Sequence, residues 1–304
     1  MKYEWSITIL LAGLFLLSQV AGLGILLQDL EEVQTPSGEI KIVHGDTAIG
    51  PRPEVNVESG ESVLFILFGV LIGTVLLLGI IRFGKVNLWK IMFFIAILTT
   101  ITISIGVFVD PILAVAIALV LTVLKIFKHH IVIHNATEVL IYAGIAVLFV
   151  PLFNIFWIVI LLIIISGYDA FAVWQSRHMV KLAKFQIGTG LFAGLLVRTG
   201  KRQKGKGKRV RVSGKGKSRG GEAILGGGDI AFPLIFAGVV MESLVPAMGK
   251  VAAFGLALII PLVLTLVLLA LLIKGRQGHF YPAMPFLTAG CLIGLGIVTL
   301  VMLF

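Results

Sequence analysis

The chain has 304 residues, 58% of them hydrophobic and only 13% charged, with a mean hydropathy of +1.08. An ordinary soluble domain carries about twice that charge, so composition excludes one and points to a polytopic membrane protein. The net charge of +10 is not spread over a nucleic-acid-binding face, because fourteen of the twenty-five Lys and Arg residues lie between Arg177 and Arg219; the single Cys291 excludes an intrachain disulfide.

The first apolar run, Ile7 to Leu27, follows Lys2 and Glu4. Val20-Ala21-Gly22 is a passable signal cleavage site, but the apolar character continues to span length, which favours an uncleaved first helix. Asp29 to Glu61 holds eight acids, two bases and three prolines, and reads as an extramembrane loop with short strands. Further spans are expected at Ser62–Ile81, Leu88–Val109, Pro111–Phe127, Ala136–Val150, Phe153–Val173, Ile224–Val245, Val251–Ile273 and Met284–Leu303, nine with the first. Asp110 should cap the helix that Pro111 opens, Pro151 should break the fifth span from the sixth, and Pro261 should kink the eighth. Gly69/Gly73 and Gly290/Gly294 have the spacing of close helix contacts.

Between the sixth and seventh spans, Met179 to Val197 places Val180, Ala183, Ile187 and Leu191 at helical spacing, which suits an interfacial amphipathic helix. Lys201 to Gly221 is a Lys/Gly-rich linker suited to anionic headgroups, and nucleic acid is not an expected partner. The sequence thus divides into residues 1–178 with six spans, 179–223 with the amphipathic helix and linker, and 224–304 with three spans. Arg82, Lys85, Lys90, Lys125, Lys128, the fourteen-residue set, Lys274 and Arg276 all fall in alternate loops. The positive-inside rule then makes the N-terminus and the 179–223 loop cytoplasmic and the C-terminus external.

Two aspartates stand in apolar runs: Asp169 in Ser166-Gly167-Tyr168-Asp169, and Asp229 after Gly226-Gly227-Gly228. A carboxylate in a membrane-length segment is expensive, so each marks a functional site. Both fall near the cytoplasmic ends of consecutive spans, where they can meet at one depth. Two carboxyls sharing a site hold one proton between them, which suits general acid–base chemistry on a water without a metal. A proton- or cation-coupled transporter using the same pair as a relay is the rival from another class; the absence of an internal repeat speaks against it. Gly226 and Gly228 clear space beside Asp229, and Tyr168 either orients Asp169 or sits at the membrane interface. Pro282-Ala283-Met284 opens the ninth span. Glu138, Glu242 and the group His129, His130 and His134 are expected at solvated positions, without metal-ligand spacing.

The combination of Tyr168-Asp169, Gly226-x-Gly228-Asp229 and Pro282-Ala283-Met284 resembles the presenilin and signal peptide peptidase family of intramembrane aspartyl proteases. The resemblance covers the chain from the sixth span onward. The family has Pro-Ala-Leu where Met284 stands, a swap that keeps volume and apolarity. It implies an all-α, nine-span protease in which Asp169 and Asp229 are catalytic. It further implies that Tyr168, Gly226, Gly228, Pro282, Ala283 and Met284 support the site. The expected substrates are transmembrane helices, and a catalytic water takes the place of any cofactor.

A strand-like hairpin is expected in front of Asp229, pairing Ala223-Ile224-Leu225 with the alternating Arg209-Val210-Arg211-Val212. A helical peptide bond is shielded and its carbonyl hydrogen-bonded, so a substrate must unwind before cleavage and would add to that edge.

Overall fold

A computed structural model describes residues 5–34, 40–53, 56–128, 130–174, 186, 189, 191–199, 221–275 and 281–303. Most of the expected amphipathic helix, the 201–219 linker, the 209–212 run and His129 lie outside these residues. Helix α1 (Trp5–Asp29) runs into an antiparallel pair, β1 (Leu30–Gln34) and β2 (Ile40–His44), with Leu30 opposite His44. Then follow α2 (Glu61–Arg82), α3 (Val86–Gly106), α4 (Pro111–Phe127), α5 (Ile131–Phe149) and α6 (Ile155–Trp174). A second antiparallel pair, β3 (Gly194–Thr199) and β4 (Gly221–Gly226), precedes α7 (Gly228–Met248), α8 (Lys250–Ala257), α9 (Ile259–Lys274) and α10 (Met284–Leu303). With α8 and α9 taken as one span, eight helices among the described residues are long and apolar enough to cross a membrane, and α4 is a shorter ninth.

The breaks have local causes. The Asp110 side chain accepts from Leu113 N at 3.1 Å ahead of Pro111, as a cap should. Pro151 lies in a single 3-10 turn (Val150–Leu152), and the Asn154 side chain restarts the chain by accepting from Trp157 N. Pro261 lacks the N–H that would bond the carbonyl four residues earlier, and α8 ends at that residue, Ala257. Of the two glycine pairs, Gly290 and Gly294 pack α10 against Leu264, Val267 and Ile260 of α9, whereas Gly69 and Gly73 meet nothing within 4 Å.

The core follows α7, whose Ile230, Leu234, Phe236, Ala237, Met241 and Val245 are fully buried. Helices α1, α5, α6 and α10 surround it, and Phe15, Leu23 and Leu26 of α1 belong to the same core. Helix α2 is the outlier, packing mainly against α3 and α6 and leaving Leu64, Phe68 and Leu71 more than half exposed, as a lipid-facing helix should. Two expectations change here. The segment from Gly194 to Thr199 is a strand rather than the end of an amphipathic helix, and the seventh span starts at Gly228 because residues 221–226 are its strand partner.

The ends of α1, α5 and α7 share one face with β1 and β2. There Arg52 donates to Asp29 Oδ1 at 2.6 Å and to the Val147 carbonyl, while Lys250 donates to the Leu30 carbonyl. His44 stands between Asp29 Oδ2 at 3.1 Å and Glu242 Oε1 at 3.2 Å, so Glu242 is ion-paired rather than merely solvated. Burial by itself would lower the His44 pKa, but its bonds to Asp29 and Glu242 outweigh that and raise it from 6.5 to about 8. A raised histidine pKa adds stability that is full below the unfolded value and fades as pH rises through the folded one. The thermal midpoint of the wild type should therefore exceed that of His44→Gln most at about pH 6, with the gap closing by about pH 9. Its size should be at most about 2 kcal/mol, since one pKa unit is about 1.4 kcal/mol. A gap that stays constant across this range would mean that the His44 charge contributes nothing.

Candidate active site

Asp169 sits in the second half of α6, five residues before its end at Trp174, and is only 5% exposed. Helix α10 starts beside it, and Met284 N donates to Asp169 Oδ2 at 3.2 Å. The first N–H groups of a helix have no partner within it, and its positive dipole end favours a carboxylate. Pro282 is buried, and the Ala283 carbonyl accepts from Phe286 N and Leu287 N, which directs the Met284 amide outward from the first turn. One turn earlier on α6, Ser166 Oγ lies 2.6 Å from Thr288 Oγ1, one turn later on α10. Two successive turns of each helix are thus laced together around Asp169. Tyr168 faces a different side and is 37% exposed.

Asp229 occupies the first turn of α7, partly buried, close enough for the two carboxyls to act on each other electrostatically. Space around it is made by glycine. A Cβ on Gly226 would stand 3.2 Å from Asp229 Oδ2 and crowd it. A Cβ on Gly227 would stand 3.3 Å from the Tyr142 hydroxyl, whereas one on Gly228 would make only ordinary contact with Phe232 at 3.8 Å. The tighter of the two later positions is therefore the one between the motif glycines. Pro233 lies four residues after Asp229, so the Asp229 carbonyl has no helical N–H partner. The next carbonyl, that of Ile230, accepts from Gln19 Nε2 at 2.9 Å, and Gln19 is fully buried on α1.

A second polar cluster lies behind the strands. Glu138 of α5 is fully buried, not solvated. Its Oε1 accepts from Lys125 Nζ of α4 at 2.6 Å, and its Oε2 accepts from Tyr142 Oη at 2.5 Å and Gly194 N at 3.1 Å. His134, expected at the surface, lies 2.9 Å from the Gly194 carbonyl through Nε2. Because a carbonyl only accepts, that nitrogen carries the proton. Gln19, Tyr142 and Gly227 escaped the sequence reading, which assigned Lys125 to a loop and Glu138 to solvent. Opposite charges in consecutive apolar runs were the available signal for Lys125 and Glu138. Among the described residues, no group of three or more His, Cys, Asp or Glu side chains could hold a metal ion.

Residues 56–303 match the model of the family described as signal-peptide peptidase, presenilin aspartyl protease. Among solved structures, the chain is similar to a presenilin family intramembrane aspartate protease in space group C222, with a TM-score of 0.56, 15% identity, and coverage of 95% of this chain and 94% of that one. A structure of a presenilin family intramembrane aspartate protease in space group P2 gives a TM-score of 0.56, 17% identity and 96% coverage of each chain. At such identities the likeness is one of fold. No curated protein matches the sequence. The transporter reading of the two aspartates finds no support in these matches. With the family match covering most of its length, the chain belongs to the signal-peptide peptidase and presenilin family, and is a multi-pass integral membrane protein and an aspartic-type intramembrane protease.

Proposed function

We propose that Asp169 and Asp229 are the catalytic pair, and that they hydrolyse peptide bonds within transmembrane helices of other membrane proteins. The observation that carries this is Asp169, buried in one span and held by the Met284 amide at the start of the last helix, with Asp229 in the first turn of the next span near enough for the two charges to influence each other. The pair holds one proton. Its ionised member takes a proton from a water that attacks the scissile carbonyl, while its protonated member donates to that carbonyl oxygen. The tetrahedral species collapses as the C–N bond breaks and the departing nitrogen takes a proton, leaving a new carboxyl and a new amine. Water is the only co-reactant in this scheme. Gly226, Met284 and the Pro282-Ala283 turn act by keeping the two carboxyls in place, Gly228 precedes Asp229, and Tyr168 precedes Asp169 on another side of α6. Either Asp169→Asn or Asp229→Asn should abolish cleavage of a labelled transmembrane peptide by purified, folded protein, and the double variant should lose no more than either single one. Appreciable turnover by either single variant would count against the pair.

The substrate must offer an extended backbone, because a helical peptide bond is shielded. Freed N–H and C=O groups at membrane depth then need partners. The β3–β4 hairpin ends at Gly226, next to Asp229, and can supply them by accepting a further strand. Its partner for residues 223–225 is Val197 to Leu195, not the 209–212 run. Recognition through backbone groups would make sequence preference loose. Proline at Ile224 removes a backbone donor, and Ile224→Pro should reduce cleavage at least tenfold with the fold retained. Wild-type rates in that variant would exclude strand addition at this edge.

The basic loops put the hairpin and the N-terminus in the cytoplasm and the C-terminus outside, with the 201–219 Lys and Arg residues near anionic headgroups. A substrate helix then enters with its N-terminus external. A cysteine introduced within 201–219 should react with an impermeant thiol reagent only after cells are opened. The native Cys291 is buried and gives little background. Labelling in intact cells would reverse the orientation.

A further inference from the structure

One edge of the β3–β4 hairpin is already occupied, by side chains. Asn135 Nδ2 donates to the Leu196 carbonyl at 2.8 Å, and Leu196 N donates to Asn135 Oδ1 at 3.0 Å. A single amide thus makes both bonds that a neighbouring strand would make to that residue. Two residues earlier, Gly194 N donates to Glu138 Oε2 and the Gly194 carbonyl accepts from His134 Nε2. In an antiparallel pair, alternate residues turn their backbone groups toward the partner strand and away from it. Gly194 and Leu196 are therefore the outward residues of β3, and three side chains of α5 satisfy all four of their backbone groups.

The register then fixes the other edge. Gly194 lies opposite Gly226, Leu196 opposite Ile224, and Arg198 opposite Glu222. The backbone groups of Glu222, Ile224 and Gly226 consequently face outward on β4. That edge carries the exposed Ile224 and ends beside Asp229. Glu138 also reaches the β4 side of the same end of the hairpin, because Tyr142, which donates to it, packs against Gly227. Gly227 N in turn donates to the Ala193 carbonyl at 3.3 Å, closing the hairpin at the end nearest Asp229. Lys125 and Thr137 complete the cluster, with Lys125 Nζ 3.2 Å from Thr137 Oγ1. A fully buried ion pair is a costly way to join two helices, and is retained where it fixes one arrangement among several.

We propose that His134, Asn135 and Glu138 are positioning residues that act as a fixed third strand. They close the β3 edge, hold the hairpin against α5, and so restrict an incoming substrate strand to the β4 edge in one register relative to Asp229. This rests on the strand-addition reading above. A substrate strand can slip only in steps of two residues without turning its side chains to the opposite face. Loosening the clamp should therefore spread cleavage to bonds two residues away.

The test measures kcat, KM and product masses for a labelled transmembrane peptide with the purified full chain. Asn135→Ala should raise KM at least fivefold and add products displaced by two residues. His134→Leu should do the same, while His134→Gln, which keeps a donor near the Nε2 position, should restore the single cleavage position. Should Asn135→Ala fail to fold, the His134 pair decides. Variants that lose folded protein and activity together, yet cut at one unchanged bond, would overturn the clamp. Ile224→Pro separates the two ideas. If it is inactive while the α5 variants keep one cleavage position, only the clamp is wrong; if it cleaves normally, strand addition fails and the clamp with it.

Discussion

Hydrocarbon offers no hydrogen bonds, and the arrangement of this protein follows from the need to give each polar group within it an internal partner. The Asp169 carboxylate is met by the Met284 amide at the start of α10. That single contact ties the sixth span to the last one, and the Ser166–Thr288 hydroxyl pair repeats the tie one turn away. Removing the helix start at Pro282-Ala283 would leave Asp169 facing apolar surroundings without a donor. The late proline motif and the aspartate in the middle of the chain are therefore two halves of one solution.

The same requirement explains the irregular backbone beside Asp229. A chain entering the bilayer as strands exposes edges, and β3 and β4 satisfy only one edge each by pairing. The outer edge of β3 is closed by α5, whose polar side chains would otherwise be an expense in an apolar helix. Helix α7 then starts at the last of three successive glycines and has a proline within two turns, which keeps its first carbonyls open to other partners. Gln19 uses one of them, anchoring the first span to the residue after Asp229. On the opposite face, Arg52, His44 and Lys250 join the ends of α1, α5 and α7, so α5 and α7 are each held near both ends.

Family membership and the local chemistry bear on different parts of this account. The match over residues 56–303 makes the protein an intramembrane aspartyl protease. The geometry of Asp169, Asp229 and the hairpin supports a particular way of carrying out that reaction, through a shared proton and an extended substrate. Both depend on water reaching the two carboxyls, and Asp229 is only partly buried.

The number of spans, the helix breaks at Pro111, Pro151 and Pro261, and the presence of Asp169 and Asp229 in apolar segments were all legible in the residues. Each rests on a local property: run length, a missing N–H, or a charge that apolar surroundings do not tolerate. Strand pairing is not local. Residues 194–199 carry apolar positions that fit helical spacing as well as alternation, and only a partner some twenty-five residues downstream chooses between them. Glu138 and His134 read as solvated because they lie near a span end; the fold buries Glu138 and partly covers His134 by bringing β3 and Lys125 to α5. Composition and period determine which segments cross the membrane, whereas which polar side chain meets which backbone edge depends on how those segments pack, and tertiary structure alone decides it.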